Sequence, residues 1–207
     1  MAKFNKDNKL RLLLEVDKTD SDQEQDKQTI HIPKHQLSIA VIGMIGSGKT
    51  ELILGMVHNL GSATRPSVHG NGVTLYTDDK NGMSWYEVDG IEMEKYSVDR
   101  IKWILHQLIK KDGVSEIVYC LNGIKGKMED IERDFIVEIR HEYPHIKIIA
   151  VVTYSLNEAS CEFAQQISIT TMQTKTFAVL ARKIVTVLGN AEPYGLDELA
   201  NELRGIP

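Results

Sequence analysis

Eight consecutive residues, Gly43-Met44-Ile45-Gly46-Ser47-Gly48-Lys49-Thr50, set glycines, a lysine and a hydroxyl in the order G-x-x-x-x-G-K-T. That order suits a chain of phosphates. Glycines remove the Cβ atoms that hold backbone N–H groups away from a polyanion, and they allow positive φ where a loop wraps around it. Lys49 is placed to reach the β- and γ-phosphates, and the Thr50 hydroxyl to ligate Mg²⁺. The flanks complete the argument. The apolar run Leu37-Ser38-Ile39-Ala40-Val41-Ile42 reads as a strand entering the loop, and Glu51-Leu52-Ile53-Leu54-Gly55-Met56-Val57 as a helix leaving it. The unpaired N–H groups and positive dipole end of that helix face the same anion. Gly43, Ile45, Gly46, Ser47, Gly48, Lys49, Thr50 and Glu51 are therefore the expected contacts of a nucleoside triphosphate.

Burying several phosphate charges requires Mg²⁺, which keeps waters and takes few protein oxygens. Thr50 supplies one, and an acid at the end of an adjacent strand supplies another. Asp89 closes the strand-like run Met83-Ser84-Trp85-Tyr86-Glu87-Val88 and is read as the acid in that position. The seven histidines form no H-x-x-x-H or comparable cluster, so no metal besides Mg²⁺ is expected.

Holding these groups takes alternating strands and helices, and the chain supplies them from Gln36 onward. After the first helix, the polar stretch 61–72 reads as a loop. Residues 73–77 and 83–88 read as a hairpin turned by Asp78-Asp79-Lys80-Asn81-Gly82, in which Asn-Gly supplies the positive φ angles. Val98, Ile101, Ile104, Leu105 and Leu108 mark a helix over 97–111, and Ile131, Phe135, Ile136 and Ile139 another over 128–142. Segments 116–121 and 146–152 read as buried strands. The N-terminus differs, because 17–28 contains no apolar residue and cannot bury anything. Leu10, Leu12, Leu13, Leu14 and Val16 before it fit a docked helix, an added edge strand or a partner-binding element. Residues 1–36 are thus read as a polar, partly disordered appendage and 37–207 as one domain.

At 42% hydrophobic and 26% charged, 207 residues suffice for one α/β domain with a sizeable core. The apolar runs are too short to span a bilayer, and no signal peptide opens the chain. Cys120 and Cys161 are far apart without metal-ligand spacing, which suits core cysteines in the cytoplasm. The net charge of −5 argues against DNA and anionic membranes as generic partners.

The order of phosphate loop, helix, polar loop, hairpin and acid at a strand end resembles the G domain of translation-factor-related P-loop GTPases, most of all the Era-like, 50S ribosome-binding branch. Ala63-Thr64-Arg65 followed by Val68-His69-Gly70 resembles the first switch, whose Thr folds onto Mg²⁺ when the γ-phosphate is present. Trp85-Tyr86-Glu87-Val88-Asp89-Gly90 resembles the strand entering the D-x-x-G motif, whose Asp holds Mg²⁺ through water and whose Gly N–H touches the γ-phosphate. The resemblance covers residues 37–205 and implies a three-layer α/β/α sandwich. Its sheet would be mainly parallel, with five to six strands and one antiparallel hairpin strand. It implies GTP and GDP as ligands, Lys49, Thr64 and Gly90 in catalysis, and Thr50, Thr64 and Asp89 around Mg²⁺. A protein effector, or self-association through the switch regions, follows from it too. The ribosome or RNA enters as a partner by resemblance alone.

The chain also departs from the family. The third residue after Asp89 is Glu92 rather than Gly, so Gly90 senses the γ-phosphate only in a contracted motif. No Gln or His stands where the attacking water is positioned, so hydrolysis is slow, partner-dependent or absent. The base-reading N/T-K-x-D motif becomes Thr153-Tyr154-Ser155-Leu156. Thr153 matches and Ser155 follows in register, but Leu156 replaces the guanine-binding Asp. Either Asn157 or Glu158 substitutes from a shifted backbone, or selectivity for GTP over ATP falls. The last base-contacting loop has two candidate positions, a preferred 176–182 that presents Ala181 and Arg182, and 184–191. Gly195-Leu196-Asp197-Glu198-Leu199 resembles the opening of the final helix. The reading is a Mg²⁺-dependent GTP switch with slow hydrolysis; the alternatives are a non-hydrolysing binding module and an ATP-specific ATPase or kinase. Deleting residues 1–28 should leave nucleotide affinity by calorimetry within about twofold of the full chain's. A loss beyond about tenfold would place the acidic segment in the site.

Overall fold

A parallel strand covered on both faces reads as an unbroken apolar run, and β1 (Leu37–Gly43) is such a strand. The structure is a computed structural model that describes residues 37–92, 95–156, 158–171, 174–181, 184–186 and 189–206. After β1 come α1 (Lys49–Asn59), β2 (Pro66–Gly70), β3 (Val73–Asp78), β4 (Met83–Val88), α2 (Lys95–Lys111), β5 (Glu116–Asn122) and α3 (Asp130–Glu142). Then follow β6 (Lys147–Thr153), α4 (Glu158–Thr170), β7 (Lys175–Ala178), β8 (Ile184–Thr186), β9 (Gly189–Ala191) and α5 (Leu196–Leu203). The main sheet runs β2-β3-β4-β1-β5-β6-β7. Strands β4, β1, β5, β6 and β7 pair in parallel, while β3 alone runs against the rest, pairing antiparallel with both β2 and β4.

Strand alternation sends Ala40 and Ile42 to one core and Ile39 and Val41 to the other. Ile101 and Leu105 of α2, Phe135 and Ile136 of α3, and Phe163 and Ile167 of α4 cover the first face. Leu52 and Met56 of α1, with Leu199 and Leu203 of α5, cover the second. The result is the expected three-layer sandwich. Its parallel strands all end at one edge of the sheet, where the phosphate loop leaves β1.

Two local expectations change, and one pair of alternatives is decided. Stretch 61–72 is not all loop, since its second half pairs as β2 with β3, and a bulge lies between Val68 and Gly70. Pro66, Ser67, Val68 and His69 are exposed, so this edge strand rests on backbone pairing and leaves no apolar alternation to read. Within the hairpin turn only Gly82 has positive φ; the buried Asp78 carboxylate instead accepts hydrogen bonds from the Asn81 backbone N–H (3.1 Å) and side-chain amide (2.9 Å). Segment 184–186 belongs to a separate two-stranded ribbon with β9, so the preferred alternative, β7, is the last strand of the main sheet. Helix α4 had no sequence expectation at all. Cys120 is a core residue, its thiol pushed up to about 12 by burial.

Glu116 opens β5 at the end opposite the phosphate loop and is buried. Lys147 Nζ lies 3.8 Å from its Oε1 and 3.0 Å from Glu202, and Glu116 Oε2 has no hydrogen-bond partner among the described residues. Burial raises the Glu116 carboxyl to about 7; Lys147 pulls it back and Glu202 pushes it further. A carboxyl whose folded-state pKa is raised stabilises the fold fully below its ordinary 4.5, and that contribution is lost as pH rises through about 7. Glu116→Gln should therefore flatten the decline of urea-unfolding stability over this pH window. A variant whose stability declines as steeply as the parent's would remove Glu116 from the account.

Candidate functional site

The phosphate loop is shaped by close approach and by left-handed backbone. A Cβ added at Gly43 would stand 2.4 Å from the Cys120 carbonyl oxygen and 2.6 Å from Ser47 Oγ, so the exit from β1 admits no larger residue. Gly48 caps α1 at φ 77° and offers no side chain to its first turn. Among the described residues the amides of Gly46, Gly48, Lys49 and Thr50 have no backbone partner. An added Cβ at Gly46 would meet nothing within 4 Å, so the loop is open on that side. Lys49 is buried across the loop and donates from Nζ to the Met44 carbonyl at 3.2 Å and the Gly43 carbonyl at 3.5 Å. Glu51 lies in the first helical turn.

Neighbouring strand ends tie this loop down. The Thr153 hydroxyl, at the end of β6, is 2.6 Å from the Ser47 carbonyl oxygen and 3.0 Å from that of Leu121. Asn122, ending β5, donates from its amide to the Gly46 carbonyl at 2.9 Å. On the other side Ile91 donates to the Gly43 carbonyl at 3.0 Å and accepts from the Ile45 N–H at 3.3 Å. Gly90 lies so near the loop that a Cβ there would be 2.7 Å from Ile45 Cα.

The acid beside Thr50 is Glu87, not Asp89. Thr50 Oγ1 donates to Glu87 Oε1 at 2.5 Å, and the Tyr76 hydroxyl donates to Glu87 Oε2 at 2.9 Å. Burial, then Glu87 itself, pushes the Tyr76 phenol up to about 12. Asp89 has left the strand, and its carboxylate pairs with Arg100 of α2 at 3.6 Å. Glu87 still lies within β4 on the face toward α1, and its extra methylene carries the carboxylate to Thr50. Counted from Glu87 the third residue is Gly90, so no contraction is needed. This E-x-x-G spacing was present in the sequence and was masked by looking for Asp.

One hydroxyl and one carboxylate beside a row of amides form the hard-oxygen donor set that Mg²⁺ takes when phosphates complete its shell. No cluster of three or more acidic, His or Cys side chains suited to a metal occurs among the described residues. Thr64 Oγ1 is buried without a hydrogen-bond partner among the described residues. A cavity of about 490 Å³ adjoins Ile45 and Gly90 and is lined also by Asp89, Glu92 and Arg100.

On the β6 side the expected base contacts divide. Thr153 braces the loop from a buried position. The Ser155 hydroxyl is fully buried and donates to the Val152 carbonyl at 2.8 Å, so it closes a turn and does not face a ligand. Tyr154 between them takes φ 52°. Ala181 packs on α1 where Gly55 makes room, an added Cβ there lying 2.9 Å from that of Ala181. Leu156 is exposed. Arg182 and Asn157 lie outside the described residues, as do the N-terminal appendage and residues 93–94. The bracing Asn122 and the bonded Ile91 were not legible in advance, since both act through main-chain atoms of a distant segment.

No protein-family model matches the chain, and no curated protein matches it. Its fold does match solved structures. The G domain of the FeoB iron transporter from T. maritima matches with a TM-score of 0.53 and 15% identity, over 83% of this chain and 99% of that one. The septin GTPase domain from Chlamydomonas reinhardtii matches with a TM-score of 0.55 and 12% identity, over 83% and 90%. Translation elongation factor SelB from Methanococcus maripaludis, in complex with the GTP analogue GPPNHP, matches with 0.51 and 15%, over 83% and 33%. This chain spans 63% of the whole FeoB cytosolic domain. The fold is that of the P-loop GTPases.

Thr153→Val should cost about 1–3 kcal/mol in denaturant unfolding, because the buried Ser47 and Leu121 carbonyls lose their hydroxyl partner. Thr153→Ser should retain most of that stability, and equal losses in the two variants would assign the effect to packing.

Proposed function

We propose that residues 37–207 form a nucleotide switch that binds GTP with Mg²⁺ and hydrolyses it slowly to GDP and phosphate, with 1–36 as an appendage. The observation that carries this reading is the row of unpartnered loop amides beside the Thr50–Glu87 pair. An anion with a divalent cation satisfies both at once. Guanine as the base rests on the likeness of fold to G domains. Within that fold the motif order, the E-x-x-G spacing and the Gly195-led final helix support the Era-like branch. We place the protein in the cytoplasm; among the described residues no helix is long and apolar enough to cross a membrane.

The loop amides would hold the β-phosphate, and Lys49 would exchange the Met44 and Gly43 carbonyls for β- and γ-oxygens, neutralising charge that builds in the transition state. Mg²⁺, held by Thr50 and Glu87, would supply electrostatic neutralisation of the phosphate oxygens. The Gly90 N–H would face the γ-phosphate, and the unpartnered Thr64 hydroxyl would turn to the metal in the triphosphate state. Loss of the γ-phosphate would release the segments around Thr64 and Gly90, a change that an effector or a second copy reads.

A second reading, binding without hydrolysis, draws on Ile91. The residue after Gly90 is buried, apolar and bonded to the loop backbone, so it cannot orient a water. Single-turnover phosphate release separates the readings: a parent rate equal to that of Lys49→Ala favours the binding module. Thermal shift with GTP, ATP and Mg²⁺ tests ligand and metal together. GTP with Mg²⁺ should stabilise the parent more than ATP does, and Lys49→Ala should lose at least about tenfold in affinity. Thr50→Ala and Glu87→Gln should abolish the Mg²⁺-dependent increment while Asp89→Asn keeps it. The reverse pattern would return the metal to Asp89, and preferential stabilisation by ATP would overturn the base.

A further inference from the structure

We infer that Tyr76 is the positioning residue of the cation site: its hydroxyl holds one oxygen of Glu87, and the single oxygen left beside Thr50 favours Mg²⁺ over Ca²⁺. The inference rests on the nucleotide reading above and concerns how the cation of that site is chosen.

The hairpin sets the pair. Tyr76 of β3 stands opposite Trp85 of β4, and Glu87 lies two residues further along β4 on the same face. Diagonal neighbours of this kind are within reach of each other when one is aromatic and the other long. That face packs under α1. The Tyr76 ring is buried in the core that also holds Trp85 and, from α1, Leu52, Ile53 and Met56. Packing thus fixes the ring, and its hydroxyl ends 2.9 Å from Glu87 Oε2. An ionised carboxylate only accepts, so the phenol is the donor. The other oxygen, Oε1, accepts from Thr50 Oγ1 at 2.5 Å.

A glutamate needs such a partner more than an aspartate does. Its additional torsion lets the carboxylate swing away from Thr50, and a second hydrogen bond removes that freedom. Partners of this kind, one step out from the metal, carry a measurable share of metal affinity. The choice of ion follows from which oxygen is engaged. With Oε2 taken by Tyr76, Glu87 presents Oε1 alone on the Thr50 side. Mg²⁺ takes few protein oxygens in strict octahedral geometry, whereas Ca²⁺ gathers more and often uses both oxygens of one carboxylate. A carboxylate with one oxygen already engaged therefore suits the smaller ion.

Calorimetric titration of Mg²⁺ and of Ca²⁺ into the full chain with a non-hydrolysable GTP analogue tests this. The proteins are the parent, Tyr76→Phe, Glu87→Asp and the double variant. Tyr76→Phe keeps the buried ring and removes only the hydroxyl, and urea unfolding checks that it folds as the parent does. It should weaken Mg²⁺ by about tenfold or more, weaken Ca²⁺ by about threefold at most, and leave metal-free binding of the analogue unchanged. In the Glu87→Asp background the shorter carboxylate no longer reaches Tyr76. Removing the hydroxyl there should change Mg²⁺ affinity by less than about twofold. Parent-like Mg²⁺ affinity in Tyr76→Phe would leave the hydroxyl a packing role only. Equal losses for the two ions would remove the selectivity, and an undiminished loss in the Glu87→Asp background would show that Tyr76 does not act through Glu87; each overturns the inference. If the parent binds the analogue no better than Lys49→Ala does, or binds it without any dependence on Mg²⁺, the nucleotide reading itself falls.

Discussion

A short loop of backbone N–H groups without partners is costly wherever water is displaced, and the rest of this molecule is arranged around keeping one in place. The amides of Gly46, Gly48, Lys49 and Thr50 converge because Gly43 turns β1 sharply against Cys120 and Gly48 admits a left-handed cap. Such a loop would collapse onto its own carbonyls if nothing restrained them. Thr153 takes the Ser47 carbonyl, Asn122 that of Gly46, and Lys49 those of Met44 and Gly43. With the acceptors spent, the donors remain for an anion.

The two sides of the loop are built differently. On the β4 side, Ile91 bonds to the loop backbone, Gly90 packs close to Ile45, and Glu87 sits beside Thr50 with Tyr76 as a second partner. That side gathers the charged and donor groups, which in the proposed function face a cation and phosphates. The β6 side carries a buried Thr, a turn-closing Ser, a strained Tyr and an exposed Leu. It offers surface more than charge, which suits the uncharged end of a nucleotide. Strands β2 and β3 extend the sheet beyond the β4 side, where His69 of β2 meets Asp112 just past α2 at 3.3 Å.

Legibility followed the range of the forces. The core helices were readable because Ile101, Leu105 and Leu108, like Phe135, Ile136 and Ile139, repeat at the helical period and all reach one core. Strand β2 was not, because an exposed edge strand imposes no pattern on its side chains and is defined by a ladder formed with β3. The turn at Asn81–Gly82 was placed correctly, but its mechanism was not, since a buried Asp78 carboxylate does much of what local dihedral preference was expected to do. The acid beside Thr50 was hidden for a similar reason. Residue type pointed to Asp89, whereas the position of Glu87 in β4 and the reach of a glutamate bring its carboxylate to the Thr50 hydroxyl.

The sequence by itself determined the phosphate loop, the three-layer fold class, and the core residues of β1, α2, α3 and the buried strands. These depend on contiguous spacing and on hydrophobic period, which are written along the chain. Only the tertiary structure decided which acid meets Thr50, which side chains brace the loop, and that Tyr154 is held against Gly48. Each of those joins residues tens of positions apart through a hydrogen bond or contact a few ångströms long. Such short-range interactions exist only after the sheet has brought its strand ends to one edge.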